Sequence, residues 1–127
     1  MLVRKDNIVM QKADAYTDRI IKMTQYLKDV RHEYVLSGQI LRSGTSIGAN
    51  IAESRNAQGS KDFVNKLNIA LKEADETGYW LEKLKSGGYL KEIEYQSMFA
   101  DNEEIIKLLT SIIKTMKERI YNGKDKS

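Results

Sequence analysis

A chain of 127 residues without a cysteine has no disulfide, no thiolate nucleophile and no thiolate metal site, and its length suits one domain with a buried core. Its 21 lysines and arginines and 18 aspartates and glutamates give a formal net charge of only +3, which is unlike a disordered polyelectrolyte or a dedicated duplex binder. No apolar run resembles a signal peptide or approaches the roughly 20 residues that span a bilayer, so we expect a cytoplasmic protein with no membrane partner.

The first predicted helix covers residues 7–32. Its apolar residues recur at alternating spacings of four and three, the pattern of one buried helix face. They are Val9, Ala13, Tyr16, Ile20, Met23, Leu27 and Val30. Asp6 or Asn7 is the predicted N-cap, because a short polar side chain can accept a hydrogen bond from the free N–H groups of the first turn.

The second predicted helix, residues 37–56, is rich in small residues. Glycine inside a helix costs about 1 kcal/mol relative to alanine, and this helix contains Gly44 and Gly48. Together with Ala52 they recur every fourth residue. The spacing predicts a smooth strip where a neighbouring helix can approach closely.

A polar stripe runs beside the apolar face of this second helix and consists of Ser43, Ser46, Asn50 and Glu53. A buried polar group without a partner costs about 1–3 kcal/mol. We therefore expect a hydrogen-bond network from this stripe to Glu76 or Thr77 of the next helix. A ligand-binding stripe is the alternative.

Two further helices are predicted at residues 60–86 and 90–121. Gly59 suits the left-handed position after a helix, and Ser60 suits the next N-cap. The apolar positions of both segments again have helical spacing. They are Phe63, Leu67, Ala70, Ala74, Thr77, Leu81 and Leu84 in the third helix, and Met98, Ile105, Leu109, Ile112 and Met116 in the fourth.

Four helices joined by short links favour antiparallel neighbours. The sequence therefore predicts an all-α, antiparallel up-and-down four-helix bundle, formed by a single domain over residues 1–127 with a basic tail at 122–127. A two-stranded coiled coil is the alternative, but it leaves the links and the second helix unexplained.

Few residues are candidates for catalysis or metal binding. His32 is the only histidine, so a di-metal carboxylate bundle, which needs two Glu-x-x-His pairs, is excluded. Glu73 and Glu76 share a helix face and could act as an acid–base pair, but we expect them to be solvated or paired with Lys72 or Lys83. We expect no enzyme activity, no metal, no cofactor and no small-molecule substrate.

Two groups of residues are candidates for partner contacts. Large apolar residues outside the core positions indicate a homo-oligomer interface; they are Ile21, Tyr79 and Trp80. Cations around the second and third helices can contact phosphates; they are Arg42, Arg55, Lys61 and Lys66. Glu53 and Asp62 are interleaved with these cations, so a solvated face of mixed charge is the alternative.

The positive charge of the chain is concentrated near its C-terminus. Up to Ile113 the 16 basic residues equal the 16 acidic ones. The remaining segment contains Lys114, Lys117, Arg119, Lys124 and Lys126 against Glu118 and Asp125. These cations either complement the helix macrodipole or form an electrostatic footprint for RNA or DNA.

The second helix also carries a family resemblance. The run ILRSGTSIGANIAE at 40–53, followed by Phe63, LNIAL at 67–71 and ETGYWL at 76–81, resembles the 23S rRNA-intervening-sequence proteins, also called S23 or four-helix bundle proteins. The positions of the motif and of its helix packing are Arg42, Ser43, Gly44, Ser46, Gly48, Asn50, Ala52 and Glu53.

The resemblance implies a small bacterial bundle that assembles as a homopentamer, some members of which are encoded within sequences inserted into 23S rRNA genes. It carries over no catalytic residue. We therefore expect a non-enzymatic oligomeric helical-bundle protein that binds RNA or DNA in connection with 23S rRNA intervening sequences. The alternative is a protein–protein scaffold or accessory subunit that binds no nucleic acid.

Overall fold

The computed structural model describes the backbone of residues 3–123 and the side chains of residues 5–123, so most of the predicted basic tail lies outside the described residues. The described part contains four helices: α1 (Val3–Asp29), α2 (Val35–Ser54), α3 (Ser60–Ser86) and α4 (Glu92–Tyr121). Each helix packs against the next one, and α4 returns to pack against α1. The predicted all-α four-helix bundle is confirmed.

Ion pairs across the α1–α4 seam reveal the direction of the two helices. The Lys12 ammonium lies 3.2 Å from a Glu104 carboxylate oxygen, and Arg19 pairs with Asp101. The later residue of α1 pairs with the earlier residue of α4, so the two helices are antiparallel. The beginning of α1 therefore lies beside the end of α4.

The bounds of α1, α2 and α4 differ by a few residues from the sequence expectation. The bounds of α3 match the expected 60–86, whereas α1 already contains Asp6 and Asn7, so neither is its N-cap. After α1, His32 adopts a positive φ of 53° and breaks the helical path. Gly59, with φ 113°, is the N-cap of α3 in place of Ser60, whose side chain is buried in the first turn.

The core consists of the stripes that the heptad spacing predicts. All seven apolar-face positions of α3 and all five of α4 are buried. In α1 five of the seven stripe positions are buried, Met23 is partly buried, and Val30 at the end of the stripe is 58% exposed. Since α1 stops at Asp29, helical periodicity no longer positions Val30 toward the core.

Candidate functional site

The small-residue strip of α2 faces α1. A Cβ atom built on Gly44 would lie 2.9 Å from Cγ2 of Ile20, and one built on Gly48 would lie 3.1 Å from Oγ1 of Thr17. Gly44 is therefore required for the close approach of the two helices, whereas a side chain at Gly48 would have to displace the Thr17 hydroxyl. Ala52 does not belong to this contact, because its side chain is exposed.

The polar stripe of α2 makes two contacts to α3, one buried and one exposed. Thr77 donates to Ser43, with 2.9 Å between the two hydroxyl oxygens, and both residues are fully buried. Ser46 and Asn50 instead donate to carbonyl oxygens of α2 itself, at 2.7 and 2.8 Å. Glu53 is exposed and pairs with Lys66 at 3.1 Å. The buried part of the contact between this stripe and α3 is thus a single hydroxyl pair, and Thr77 rather than Glu76 is the buried α3 partner of the stripe.

Arg42 lies between two carboxylates of α3. Its guanidinium is 3.1 Å from Glu73 and also pairs with Glu76. Glu76 in addition accepts a hydrogen bond from the Trp80 indole at 2.9 Å, and these bonds from Trp80 and then Arg42 lower the pKa of the Glu76 carboxyl. The expected pairing of the two glutamates with Lys72 or Lys83 is thus replaced by Arg42. Because two carboxylates compensate its charge, Arg42 is less available for a phosphate contact than a cation without an ion pair, and its predicted contact with nucleic acid stays a prediction.

The bundle topology gathers cations at one end, which we call the basic end. It comprises the first two turns of α1 and α3, the last two turns of α2 and α4, and the connection from α2 to α3, which begins at Arg55. Its described side chains include seven cations and four acids. The cations are Lys5, Arg55, Lys61, Lys66, Lys114, Lys117 and Arg119, and the acids are Asp6, Glu53, Asp62 and Glu118.

Two cations of the basic end have neutral partners. Arg55 donates to the side-chain oxygen of Asn7, and the Lys5 ammonium lies 3.3 Å from the Ser111 hydroxyl. These bonds orient the side chains without compensating their charge. By contrast, the opposite charges of Lys66 and Glu53 compensate each other within the basic end. The sequence predicted most of these cations individually, but their common location follows from the antiparallel fold.

The opposite end of the bundle exposes apolar side chains, and we call it the apolar end. A groove of about 530 Å³ opens there between α1 and α4, with Ile93 on its rim. The exposed fractions are 78% for Ile93, 74% for Val35, 61% for Tyr34 and 48% for Tyr26. Sequence reasoning missed these residues, although an apolar cluster beside a predicted turn is a usable signal.

The predicted interface residues occupy separate places. Ile21 lies on α1 and is 37% exposed, whereas Tyr79 is half-exposed and Trp80 is partly buried on α3. Because α1 and α3 lie diagonally across the bundle, Ile21 does not form one patch with the two aromatic residues.

The described residues show no assembled metal site or membrane span. Within residues 3–123, no group of three or more histidine, cysteine, aspartate or glutamate residues is arranged to hold a metal ion. His32 is exposed in the α1–α2 turn and lies 3.4 Å from the Tyr34 hydroxyl. Over the same residues, every helix falls short of the length and apolar character needed to cross a bilayer.

Comparison with known proteins connects this fold to one family. The model of the 23S rRNA-intervening sequence protein family matches residues 5–111. A crystal structure of a protein of unknown function from the S23 ribosomal protein family of Bacteroides thetaiotaomicron is 54% identical, with a TM-score of 0.86 over 87% of this chain and 98% of that chain. No curated protein matches at a significant level. The chain belongs to the 23S rRNA-intervening sequence protein family.

Proposed function

We propose that this protein is a non-enzymatic, self-associating bundle that binds RNA through its basic end. The observation that carries the proposal is the convergence of cations from four helix termini onto one end of the bundle. Phosphate contacts supply most of the sequence-independent affinity for nucleic acid. A cluster that combines lysines with oriented arginines suits this kind of binding.

The distribution of charge supports the basic end over the α2–α3 face. On that face Arg42 is held by the carboxylates of Glu73 and Glu76. On the last turns of α4, Lys114 and Lys117 are exposed and form no ion pair with any residue whose side chain the structure describes. In the sequence, two more lysines, Lys124 and Lys126, follow within nine residues of Lys117.

The double variant Lys114→Gln/Lys117→Gln is expected to weaken RNA binding. Each lost phosphate contact reduces the slope of log affinity against log salt by about 0.7–0.9, so the slope should fall by about 1.5. The measurement is fluorescence anisotropy with a 23S rRNA hairpin, its single strand and the matching DNA strand, over a range of salt concentrations.

The control variant Lys72→Gln/Lys107→Gln removes the same charge from exposed positions outside the basic end. It should leave the salt slope close to that of the native protein. If micromolar native protein binds none of the three probes at low salt, RNA binding is refuted. An equal effect of both double variants would refute the location at the basic end.

Self-association is proposed through the apolar end. Apolar side chains, among them Tyr26 and Ile93, line the groove between α1 and α4 beside Arg19, Lys22 and Glu94, and exposed apolar side chains grouped in this way usually mark protein interfaces. This surface equally supports the second candidate function, a protein–protein scaffold without nucleic acid. The RNA titration distinguishes the two functions.

The substitution Ile93→Asp is expected to dissociate the oligomer. Ile93 is exposed in the first turn of α4. A carboxylate at this position interacts favourably with the dipole of the helix, so the subunit should remain folded. Light scattering should show the mass falling from the homopentamer toward the 14.6 kDa subunit. Tyr79→Ser is the comparison variant, because it changes the surface that the sequence pattern indicated. If the native protein has the mass of one subunit, self-association is disproved. If Tyr79→Ser lowers the mass and Ile93→Asp does not, the interface lies on α3.

A further inference from the structure

Tyr121 is the most exposed large apolar residue among the side chains that the structure describes. It is the last residue of α4 and is 91% exposed, whereas Ile93 and Val35 at the apolar end reach 78% and 74%. A ring in this position adds nothing to the core, so the stability of the fold does not account for it. Its location is within the basic end, where Phe63, the other aromatic residue of the described part, is buried.

The ring of Tyr121 has no partner among the described side chains. Three other tyrosines each hold a cation over the ring; they are Tyr79, Tyr89 and Tyr95. Tyr121 makes no such contact and no aromatic pair with a residue whose side chain the structure describes. Because the ring is also almost fully exposed, its faces are open to a planar ligand.

Tyr121 lies in line with the lysines of α4. Seven residues make about two helical turns, so Tyr121 and Lys114 point in nearly the same direction. Lys117, four residues before Tyr121, lies on the same face, and all three side chains are exposed. Near the start of this row, Ser111 contacts the Lys5 ammonium at 3.3 Å. The end of α4 therefore presents a row of cations that leads to an open aromatic ring.

A cation row beside an aromatic ring matches the chemistry of a single nucleic-acid strand. Cations contact the phosphates, and aromatic side chains stack on the unpaired bases. Inside a duplex the bases already stack on one another, so a lone ring on the protein surface gains little from them. Phosphate contacts by themselves carry no sequence information and are available on paired and unpaired strands alike. The ring is therefore the group that distinguishes the two kinds of ligand.

We propose that the basic end binds unpaired nucleotides, with the Tyr121 ring stacked on a base and Lys114 and Lys117 on neighbouring phosphates. This inference rests on the proposed binding of RNA through the basic end and adds the strandedness of the ligand. Loops, bulges and single-stranded ends offer a base and phosphates together. A continuous duplex offers the lysines only its phosphates.

The test compares ring variants of the full chain by fluorescence anisotropy with a single-stranded RNA and with its blunt-ended duplex. Tyr121→Leu should weaken single-strand binding about tenfold, because stacking on the base is lost. Its slope of log affinity against log salt should equal that of the native protein, since no phosphate contact is lost. Duplex binding should not change. Tyr121→Phe keeps the ring and should stay within about twofold of the native affinity.

A base analogue and a control variant make the test specific. A 2-aminopurine in the single strand should be quenched by the native protein and by Tyr121→Phe, but much less by Tyr121→Leu, because its fluorescence reports stacking. Tyr79→Leu removes a half-exposed tyrosine outside the basic end and should bind both RNAs as the native protein does.

The outcomes separate this inference from the proposal on which it rests. If Tyr121→Leu binds the single strand as tightly as the native protein, stacking is refuted, while a reduced salt slope in Lys114→Gln/Lys117→Gln would still support the basic end. If the native protein binds neither RNA, both proposals fall. An equal loss in Tyr79→Leu would also overturn the inference. So would a lower mass of Tyr121→Leu in light scattering, because the ring would then belong to the subunit interface.

Discussion

Replacing Gly44 with leucine is expected to destabilise the bundle by about 1–3 kcal/mol, the range found for overpacked cores. The first added atom alone would lie 2.9 Å from Cγ2 and 3.0 Å from Cγ1 of Ile20. These atoms are next to the branch point of a fully buried side chain rather than at its flexible end. Since Ile20 cannot move aside, α1 and α2 must separate. Urea unfolding followed by circular dichroism measures the loss.

The same substitution at Gly38 is the matched control. Gly38 lies on α2 as well, its side chain position is exposed, and a Cβ atom there would meet nothing within 4 Å. Leucine is also the better helix former, so Gly38→Leu should be neutral or slightly stabilising. Gly48→Leu should fall between the two, because its nearest neighbour is the Thr17 hydroxyl at 3.1 Å. Equal urea midpoints for the Gly44 and Gly38 variants would contradict the close approach of α1.

The small-residue strip shows how far helical spacing alone can predict a contact. Spacing by four residues selected Gly44 and Gly48 correctly, but it also selected Ala52, whose side chain is exposed. With 3.6 residues per turn, each step of four residues advances the direction by about 40°. Over two steps the strip therefore rotates by about 80°, away from the axis of a straight neighbouring helix. Sequence spacing therefore predicts which residues form the strip, but it does not predict at which residue the contact with the neighbouring helix ends.

The partners of charged residues could not be predicted in the same way. The pairing of Glu73 and Glu76 with Arg42 depends on the rotation of α2 relative to α3, and no spacing within either helix contains that information. Asn102 had a better signal, because a polar residue stands four positions after Met98 and three before Ile105 on the apolar stripe of α4. A polar residue at such a position is expected to be buried and to need partners.

The two ends of the bundle follow from topology rather than from any local motif. The C-terminal cations alone gave two interpretations, a macrodipole effect or a binding surface. The fold adds Lys5, Arg55 and Lys61 from three other helix termini to the same end. A dipole effect at the end of α4 does not account for cations at the starts of α1 and α3, where the dipole disfavours them. A common surface accounts for all of them, which is why the basic end carries the proposal.

Loss of the Glu33 carboxylate is expected to cost about 1–2 kcal/mol through the N-terminus of α2, the range known for helix caps. The Tyr34 side chain at the N-cap position does not cap the helix. Glu33, which is only 8% exposed, replaces it by accepting from the N–H groups of Val35 (3.1 Å), Leu36 (3.0 Å) and Ser37 (2.7 Å). Glu33→Gln keeps the shape but points an amide N–H₂ group at backbone donors, so it should lower the free energy of unfolding measured with urea at pH 7.

The pH dependence gives this prediction a definite sign. Burial by itself would raise the pKa of Glu33, but the hydrogen bonds from Leu36, Ser37 and Val35 outweigh burial and lower it from the ordinary value of 4.5. A carboxyl with a lowered folded pKa stabilises the fold above the unfolded pKa, and this contribution is lost as the pH falls through the folded value. The difference in unfolding free energy between native protein and Glu33→Gln should therefore be full at pH 7 and shrink below about pH 4.5. Glu118→Gln, at an exposed position of α4, controls for the loss of one carboxylate and should change the free energy of unfolding at pH 7 by no more than about 0.5 kcal/mol. A difference for Glu33→Gln that stays constant down to pH 3 would mean that the carboxylate does not cap α2.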